Sequence, residues 1–319
     1  MLMNDSIPQV LGEVEKVILG KDEIIEKVFM AILAQGHVLL EDVPGVGKTT
    51  MALAFAKALG LEYKRVQFTS DTMPSDIIGF SVYDRNAGAL SYKPGAIMCN
   101  LLLADEINRT SSKTQSALLE AMEEGQVTVD GATHDLPEPF VVLATENPTG
   151  SAGTQMLPNS QLDRFLVKLS MGYPALDDQI EILKDRHATD PLARVKPVLT
   201  IEQLSALIDQ TANVFVDDAI YGYISQLVQA TRVQETVELG VSPRGALALM
   251  RMAQADAFVH GQDYVAPAQV LDVFENVCEH RLILNAKARL NEVDAHSILS
   301  SIAATVPIPQ RAAKNPLRS

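Results

Sequence analysis

VLLEDVPGVGKTT, residues 38–50, sets a short apolar run before a Pro/Gly-rich turn and then opens the amphipathic stretch MALAFAKALG with Lys-Thr-Thr. The order predicts a strand, a phosphate-cradling loop and a helix, and with them nucleotide triphosphate chemistry. Triphosphate oxygens need donors that converge without intervening side chains. In the loop Pro44, Gly45, Val46 and Gly47, the two glycines permit positive φ and close backbone approach. Successive N–H groups would then form an anion nest at the helix N-terminus. Lys48 would reach the β- and γ-phosphates, and Thr49, followed by Thr50 in the same turn, would ligate Mg²⁺. The strict pattern G-x-x-x-x-G-K-[ST] nonetheless fails, because Asp42 stands where the first glycine belongs. Asp can hydrogen-bond its own backbone there and tolerate unusual φ, so the expectation is a tolerated variant. The plain alternative is a strand–helix turn with an incidental Gly-Lys-Thr.

Outward from the loop, short β-like runs alternate with helical ones. Residues 6–35 have helical spacing with a break at Leu19-Gly20-Lys21. HVLLE (37–41) leads into the helix at about 48–59; YKRVQF (63–68), NLLLAD (100–105), FVVLATEN (140–147) and FLVKLS (165–170) follow. Between two of these runs lies SKTQSALLEAMEEG, a helix ending at Gly125. Five short strands, several continuously apolar, with helices between them predict an α/β fold: a parallel sheet covered on both faces. Two insertions break the rhythm. Residues 79–95 surround a turn-prone RNAG and read as a hairpin or extended loop, and 126–136 alternate around Asp130-Gly131, a sharper hairpin signal. From about 176 onward the β-like runs stop and helical periodicity takes over. The expected division is an α/β domain over 1–175, an all-helical lid over 176–305 and a loose tail over 306–319 carrying Arg311, Lys314 and Arg318.

Length agrees, since 319 residues exceed the roughly 250–300 at which a single core stops growing. A net charge of −14 argues against nucleic acid as the dominant partner, since counterion release needs clustered Lys and Arg. Cys99 and Cys278 are far apart without a CxxC, which reads as two reduced thiols in a cytoplasmic protein. MLMNDSIPQV has neither a basic nor an apolar leader region, and no apolar run approaches a membrane span. The six histidines never cluster at metal-ligand spacing.

Further along, LLLADEINR ends an apolar strand with adjacent carboxylates. Asp105 could hold a magnesium shell and Glu106, differently aimed, could polarise the attacking water; a helix-capping Asp-Glu pair is the alternative. ATENP places Asn147 at the end of the next strand, where an amide can bond both water and γ-phosphate, or simply make an Asn-Pro turn. Arg164 in QLDRF precedes the last strand; the plain reading is a surface ion pair with Asp163. Arg244 in SPRG sits in a helix first turn, where a cation adds no stability, which points to a ligand-facing role.

Taken in order, ILGKDEII, VLLEDVPGVGKTT, QFTSDTMPSDIIGF, LLLADEINR, ALLEAMEEGQVTVDG, ATENP, QLDRFL and SPRG make the chain resemble the MoxR-type AAA+ ATPases over nearly its whole length. Asp at position 42 also occurs in sequences of this type. The resemblance implies a P-loop AAA+ core with two hairpin inserts and a helical lid. It implies Lys48 and Thr49 as Walker A phosphate and magnesium ligands, Asp105 and Glu106 as Walker B, and Asn147 as sensor 1. It further implies Arg164 as an arginine finger reaching a neighbouring subunit and Arg244 as sensor 2, acting in cis or in trans. Gly20 falls where such chains pack near the adenine. A trans-acting finger means that one chain cannot complete its own site, so a ring, as a hexamer, is expected. ATP and Mg²⁺ are the implied cofactors. The function implied is chaperone-like remodelling or maturation of a client protein, with a separate von Willebrand factor A-domain partner. A nucleic-acid translocase is the alternative, disfavoured by hairpins whose only basic residues are Arg85 and Lys93; a nucleotide-gated scaffold is another.

Overall fold

The computed structural model describes residues 6–86, 88–147, 156–188 and 191–309. The expected tail cations Arg311, Lys314 and Arg318, and Pro148 of the ATENP run, lie outside the described residues. Two compact units are present, Met1–Thr211 and Ala212–Ser319.

The first unit begins with α1 (Ser6–Glu15) and α2 (Asp22–Leu33), then β1 (Val38–Glu41), α3 (Lys48–Ala58), β2 (Tyr63–Gln67) and α4 (Pro74–Ile78). A hairpin of β3 (Phe80–Asp84) and β4 (Ala89–Lys93) precedes β5 (Leu101–Asp105), a 3-10 turn at Ile107–Arg109 and α5 (Ser112–Glu124). A second hairpin, β6 (Gln126–Val129) and β7 (Ala132–Asp135), leads to β8 (Val141–Glu146), α6 (Asn159–Leu162), β9 (Val167–Leu169), α7 (Leu176–Ala188) and α8 (Ile201–Ala212). The core sheet is five-stranded in the order β2-β5-β8-β1-β9, and every pairing in it is parallel. All the expected strands are present.

Burial explains the sheet. Leu39, Leu102, Ala104, Val142 and Ala144 point to one face and share a core with Leu118, Leu119 and Met122 of α5. The alternate residues Leu40, Leu101, Leu103, Val141 and Leu143 are also fully buried, so the sheet is covered on its other face as well. Gly125 ends α5 at φ 65°, its N–H bonded to Ala121 O, as a left-handed helix cap requires. His37, just before β1, ties that helix end to the sheet. Its Nδ1 accepts from the Val142 N–H at 3.1 Å, which leaves Nε2 to donate to Met122 O at 3.0 Å.

Both insertions are antiparallel hairpins. Asp130 (φ 50°) and Gly131 (φ 80°) give the second a turn with positive φ at both central positions, the twist-compatible choice for a two-residue loop. The hairpins touch: the Tyr92 ring stacks on His134 with centroids 3.8 Å apart and planes 10° from parallel. The Tyr92 hydroxyl donates to Ile78 O at 2.6 Å.

The second unit holds α9 (Asp218–Arg232), β10 (Val237–Leu239), α10 (Pro243–Val259), α11 (Pro267–Cys278), β11 (Ile283–Leu284), α12 (Ala286–Leu290) and α13 (Ala295–Thr305). One amendment to an all-helical unit is needed, because β10 and β11 pair antiparallel. These two- and three-residue runs are too short to stand out from helical periodicity. The compact units also group α7 and α8 with the α/β body, although their sequences read as the first helices of the lid. Amphipathic spacing records that a helix has a buried face but not which body covers it. Cys99 and Cys278 are buried, free thiols, and burial pushes both up to about 12. Among the described residues no helix is long and apolar enough to cross a membrane.

Candidate active site

Because the sheet is parallel, the C-terminal ends of β1, β5 and β8 lie side by side, with Glu41 opposite Glu146 and Asp105 one residue beyond the Ala104–Ala144 pair. The loop after β1 turns through Gly45 (φ 89°) and Gly47 (φ 106°), and Gly47 is the N-terminal cap of α3. A Cβ at Gly45 would meet nothing within 4 Å, so backbone conformation and not crowding demands glycine there. Lys48 is buried, and its Nζ donates to Asp42 O at 2.8 Å and Val43 O at 3.4 Å. Burial lowers its pKa, while the carboxylates of Asp42, Asp105 and Glu106 oppose that shift. Thr49 and Thr50 occupy the first turn of α3.

The acidic pair is held in two directions. Asp105 Oδ1 accepts the Thr145 hydroxyl at 2.6 Å, and Oδ2 meets Arg65 at 2.7 Å. Glu106 adopts φ 58°, ψ 50°, a left-handed conformation that costs an L-residue roughly 1–2 kcal/mol and aims its side chain away from that of Asp105. Its N–H donates to Thr145 Oγ1 at 2.8 Å. Glu106 Oε1 accepts from Asn147 Nδ2 at 3.0 Å, and Oε2 pairs with Arg109 at 3.1 Å. Lys48, Asp105, Glu106 and Asn147 are therefore gathered at one edge of the sheet, as their order in the chain led us to expect. Thr145, Arg65 and Arg109 were not foreseen. Only the strand register, which sets Thr145 beside Asp105, could have shown the first. We expect Thr145→Val to lose about 1–3 kcal/mol, since it strands the Glu106 N–H and one Asp105 oxygen; chemical denaturation would measure the loss.

Beside the loop lies a cleft of about 350 Å³. Its walls include Val17, Ile18 and Leu19 ahead of α2, loop residues Pro44 to Gly47, and Tyr173, Ile182 and Leu183 on and before α7. Gly20, adjacent to that wall, has φ 66°, and a Cβ there would lie 1.9 Å from Asp178 Oδ2. An apolar slot next to glycine-turned backbone N–H groups suits a flat base at one end and a polyphosphate at the other. The donor set thus fits a nucleoside triphosphate. Nothing in the sequence marks Ile182 and Leu183 of α7 as cleft residues, because amphipathic spacing does not say what a helix packs against.

Asp42 is corrected. Its φ is not positive, and its carboxylate does not serve its own turn. The residue is buried, and its carboxylate accepts the N–H groups of Met171 and Gly172. Arg164 lies elsewhere. It precedes β9, where the Leu166 N–H reaches His37 O, so it stands at the N-terminal edge of the sheet, and its Nε pairs with Glu123 Oε2 at 2.7 Å. The side chain paired with Arg164 is thus Glu123 of α5. Arg244 is exposed in the first turn of α10 in the second unit, where Ser242 Oγ caps the helix by accepting from the Gly245 N–H.

One half-buried carboxyl beneath the site is pushed toward neutrality. Burial, with the facing Glu41 carboxylate, pushes Glu146 up to about 7, against the pull of Lys168; Lys168 also pairs with Glu41. A carboxyl raised on folding contributes stability that is complete below its unfolded pKa and disappears as pH rises through the folded value. Wild-type stability should therefore fall between about pH 4.5 and 7 by up to about 3 kcal/mol from this group. Glu146→Gln should flatten that decline in urea titrations run across the window.

A glycine-turned loop opening a helix, an amide just past the end of the neighbouring strand and two carboxylates at the end of the strand beyond it define a P-loop nucleoside triphosphatase. Residues 37–167 match the family described as "ATPase family associated with various cellular activities (AAA)", and residues 229–302 match the AAA lid domain. The chain is 39% identical to the chaperone MoxR1 of Mycobacterium tuberculosis, over 96% of this chain and 83% of that protein. It is 46% identical to the uncharacterized protein YeaC of Bacillus subtilis, over 98% and 99% respectively. A crystal structure of a Cytophaga hutchinsonii protein assigned as an ATPase superposes with a TM-score of 0.90 at 35% identity, covering 97% of this chain and 96% of that one. The chain belongs to the MoxR-type AAA+ ATPases and hydrolyses ATP.

Proposed function

We propose that the protein works as a ring, with Mg²⁺ and ATP shared between neighbouring copies, and remodels or matures a client protein. The placement of Arg164 carries this reading. Asp105 ends its strand and Lys48, Glu106 and Asn147 follow the C-terminal ends of theirs, whereas Arg164 precedes the N-terminal end of β9. A strand the length of β1 spans about 10 Å or more, so Arg164 faces away from its own phosphate loop and is available to a second copy. In that arrangement Lys48 and the loop N–H groups hold the β- and γ-phosphates. Thr49 and Asp105 are the residues that would hold Mg²⁺; Asp105 Oδ2 is paired with Arg65. When bound, Mg²⁺ would neutralise charge on the triphosphate. Glu106 takes the proton of the attacking water, and Asn147 fixes the carboxylate that does so. Arg244 is read as a sensor in cis or in trans, and Gly20 as part of the adenine wall.

A protein client is favoured by the first hairpin, where Phe80, Val82, Tyr83 and Leu90 are each more than 40% exposed. Apolar and aromatic side chains beside few cations suit a polypeptide better than a phosphate backbone. Similarity to a chaperone supports the same choice. A separate von Willebrand factor A-domain protein, a hexameric ring and a cytoplasmic setting complete the proposal. The test is a pulldown with Glu106→Gln held in ATP. Stable capture of a client or an A-domain protein, released by ADP, is expected; ATP-independent recovery of the same proteins from wild type and variant would refute the reading.

A further inference from the structure

We infer that Asp42 is a positioning residue that fastens the base-side wall of the nucleotide cleft to the phosphate loop, so that the loop and the adenine site form one rigid receptor. The inference rests on the nucleotide reading of the cleft. Three elements converge on this one residue. Its N–H donates to Glu146 O at 3.2 Å, which ties it to the end of β8. Its carbonyl oxygen receives the Lys48 ammonium at 2.8 Å. Its carboxylate takes the N–H of Met171 and, at 3.2 Å from each oxygen, the N–H of Gly172. The residue is 5% exposed, and a buried carboxylate is retained only where donors meet its charge.

What it fastens is the cleft wall. Gly172 turns at φ 60°, and the next residues, Tyr173 and Pro174, line the cleft opposite the segment ahead of α2. Lys21 Nζ closes the ring of contacts by donating to Tyr173 O at 3.0 Å. A glycine at position 42, which the strict loop pattern demands, would keep the carbonyl that receives Lys48 but abolish every bond to Met171 and Gly172. The phosphate end should survive that change and the base end should not.

The experiment compares full-length wild type, Asp42→Gly and Asp42→Asn by calorimetric binding of ATP and ADP and by competition with inorganic tripolyphosphate. For Asp42→Gly we expect the Kd for ATP and ADP to rise about tenfold or more, because two charge-assisted hydrogen bonds that shape the wall are lost. The tripolyphosphate constant should change less than about twofold. Asp42→Asn keeps one acceptor oxygen but turns an amide N–H toward a backbone N–H, so it should move in the same direction by a smaller factor; it carries the test if the glycine variant does not fold. Unchanged constants for both ligands would overturn the inference and return Asp42 to a tolerated variant. Equal weakening of both would overturn it too, since Asp42 would then hold only the loop. Wild type that bound neither ligand would refute the nucleotide reading itself.

Discussion

Alanine at Arg164 should lower steady-state ATP turnover by about 10³–10⁵ while leaving the ATP affinity of the chain within a few-fold of wild type. The guanidinium stands at the opposite edge of the sheet from Lys48 and Glu106, so its removal takes nothing from its own cleft. Its ion pair with Glu123 is partly exposed, and losing a pair of that kind costs about 0–1 kcal/mol; the thermal melt should barely move. A large kinetic loss beside a small stability loss marks a group that acts on someone else's nucleotide. Complementation makes the point sharper. Mixing Arg164→Ala chains with Glu106→Gln chains, each inactive alone, creates interfaces in which one chain supplies Glu106 and its neighbour Arg164. Partial recovery of turnover is expected. Two variants that assemble normally and never rescue each other would remove the shared site from consideration.

Glutamine at Glu106 should reduce single-turnover hydrolysis by about 10²–10⁴, the usual worth of a positioned general base, with ATP binding preserved. The reason lies in how the residue is held. The substituted amide side chain would keep an oxygen for Asn147 Nδ2, and the backbone N–H at that position would still donate to Thr145, so the turn and the sensor amide stay in register. What vanishes is the negative charge that draws a proton from water, together with the exposed pair to Arg109. Equilibrium binding of ATP beside rapid-quench measurement of hydrolysis separates the two effects. A variant that binds ATP tenfold more weakly and loses turnover only in proportion would show that Glu106 shapes the pocket and does no chemistry.

How much of this was written in the chain depends on the range of the interaction concerned. Local signals were reliable. Continuous apolar runs marked β1, β5 and β8, Asp130-Gly131 marked a hairpin turn, and Gly125 marked the end of α5, because each is decided by a few neighbouring residues. Strand order was not legible. That β1 lies between β8 and β9 depends on pairings more than a hundred residues apart, and with them went Thr145 and Arg65, whose partner Asp105 is remote in sequence. Asp42 was misjudged for the same reason. Sequence reasoning supplied it with a local partner, its own turn, whereas its donors arrive from Met171 and Gly172. Helix α7 groups by contacts with the first unit, which its sequence does not show, because a helical stripe says nothing about what covers it. Lys48, Asp105, Glu106 and Asn147 stood out because each sits at or just after a strand end, where a polar residue interrupts the apolar pattern, whereas the positions of Arg164 and Arg244 carry no such local signal.

The stack between Tyr92 and His134 changes what the two hairpins can be. Each precedes a strand of the core: β4 is followed by β5, which ends in Asp105 with Glu106 next, and β7 is followed by β8, which Asn147 comes directly after. Joined ring to ring, the inserts resemble the two legs of one bracket bolted through the sheet at both feet. A displacement of either tip would be shared by both legs, and the legs precede the two strands at whose ends stand the carboxylates and the amide that steadies them.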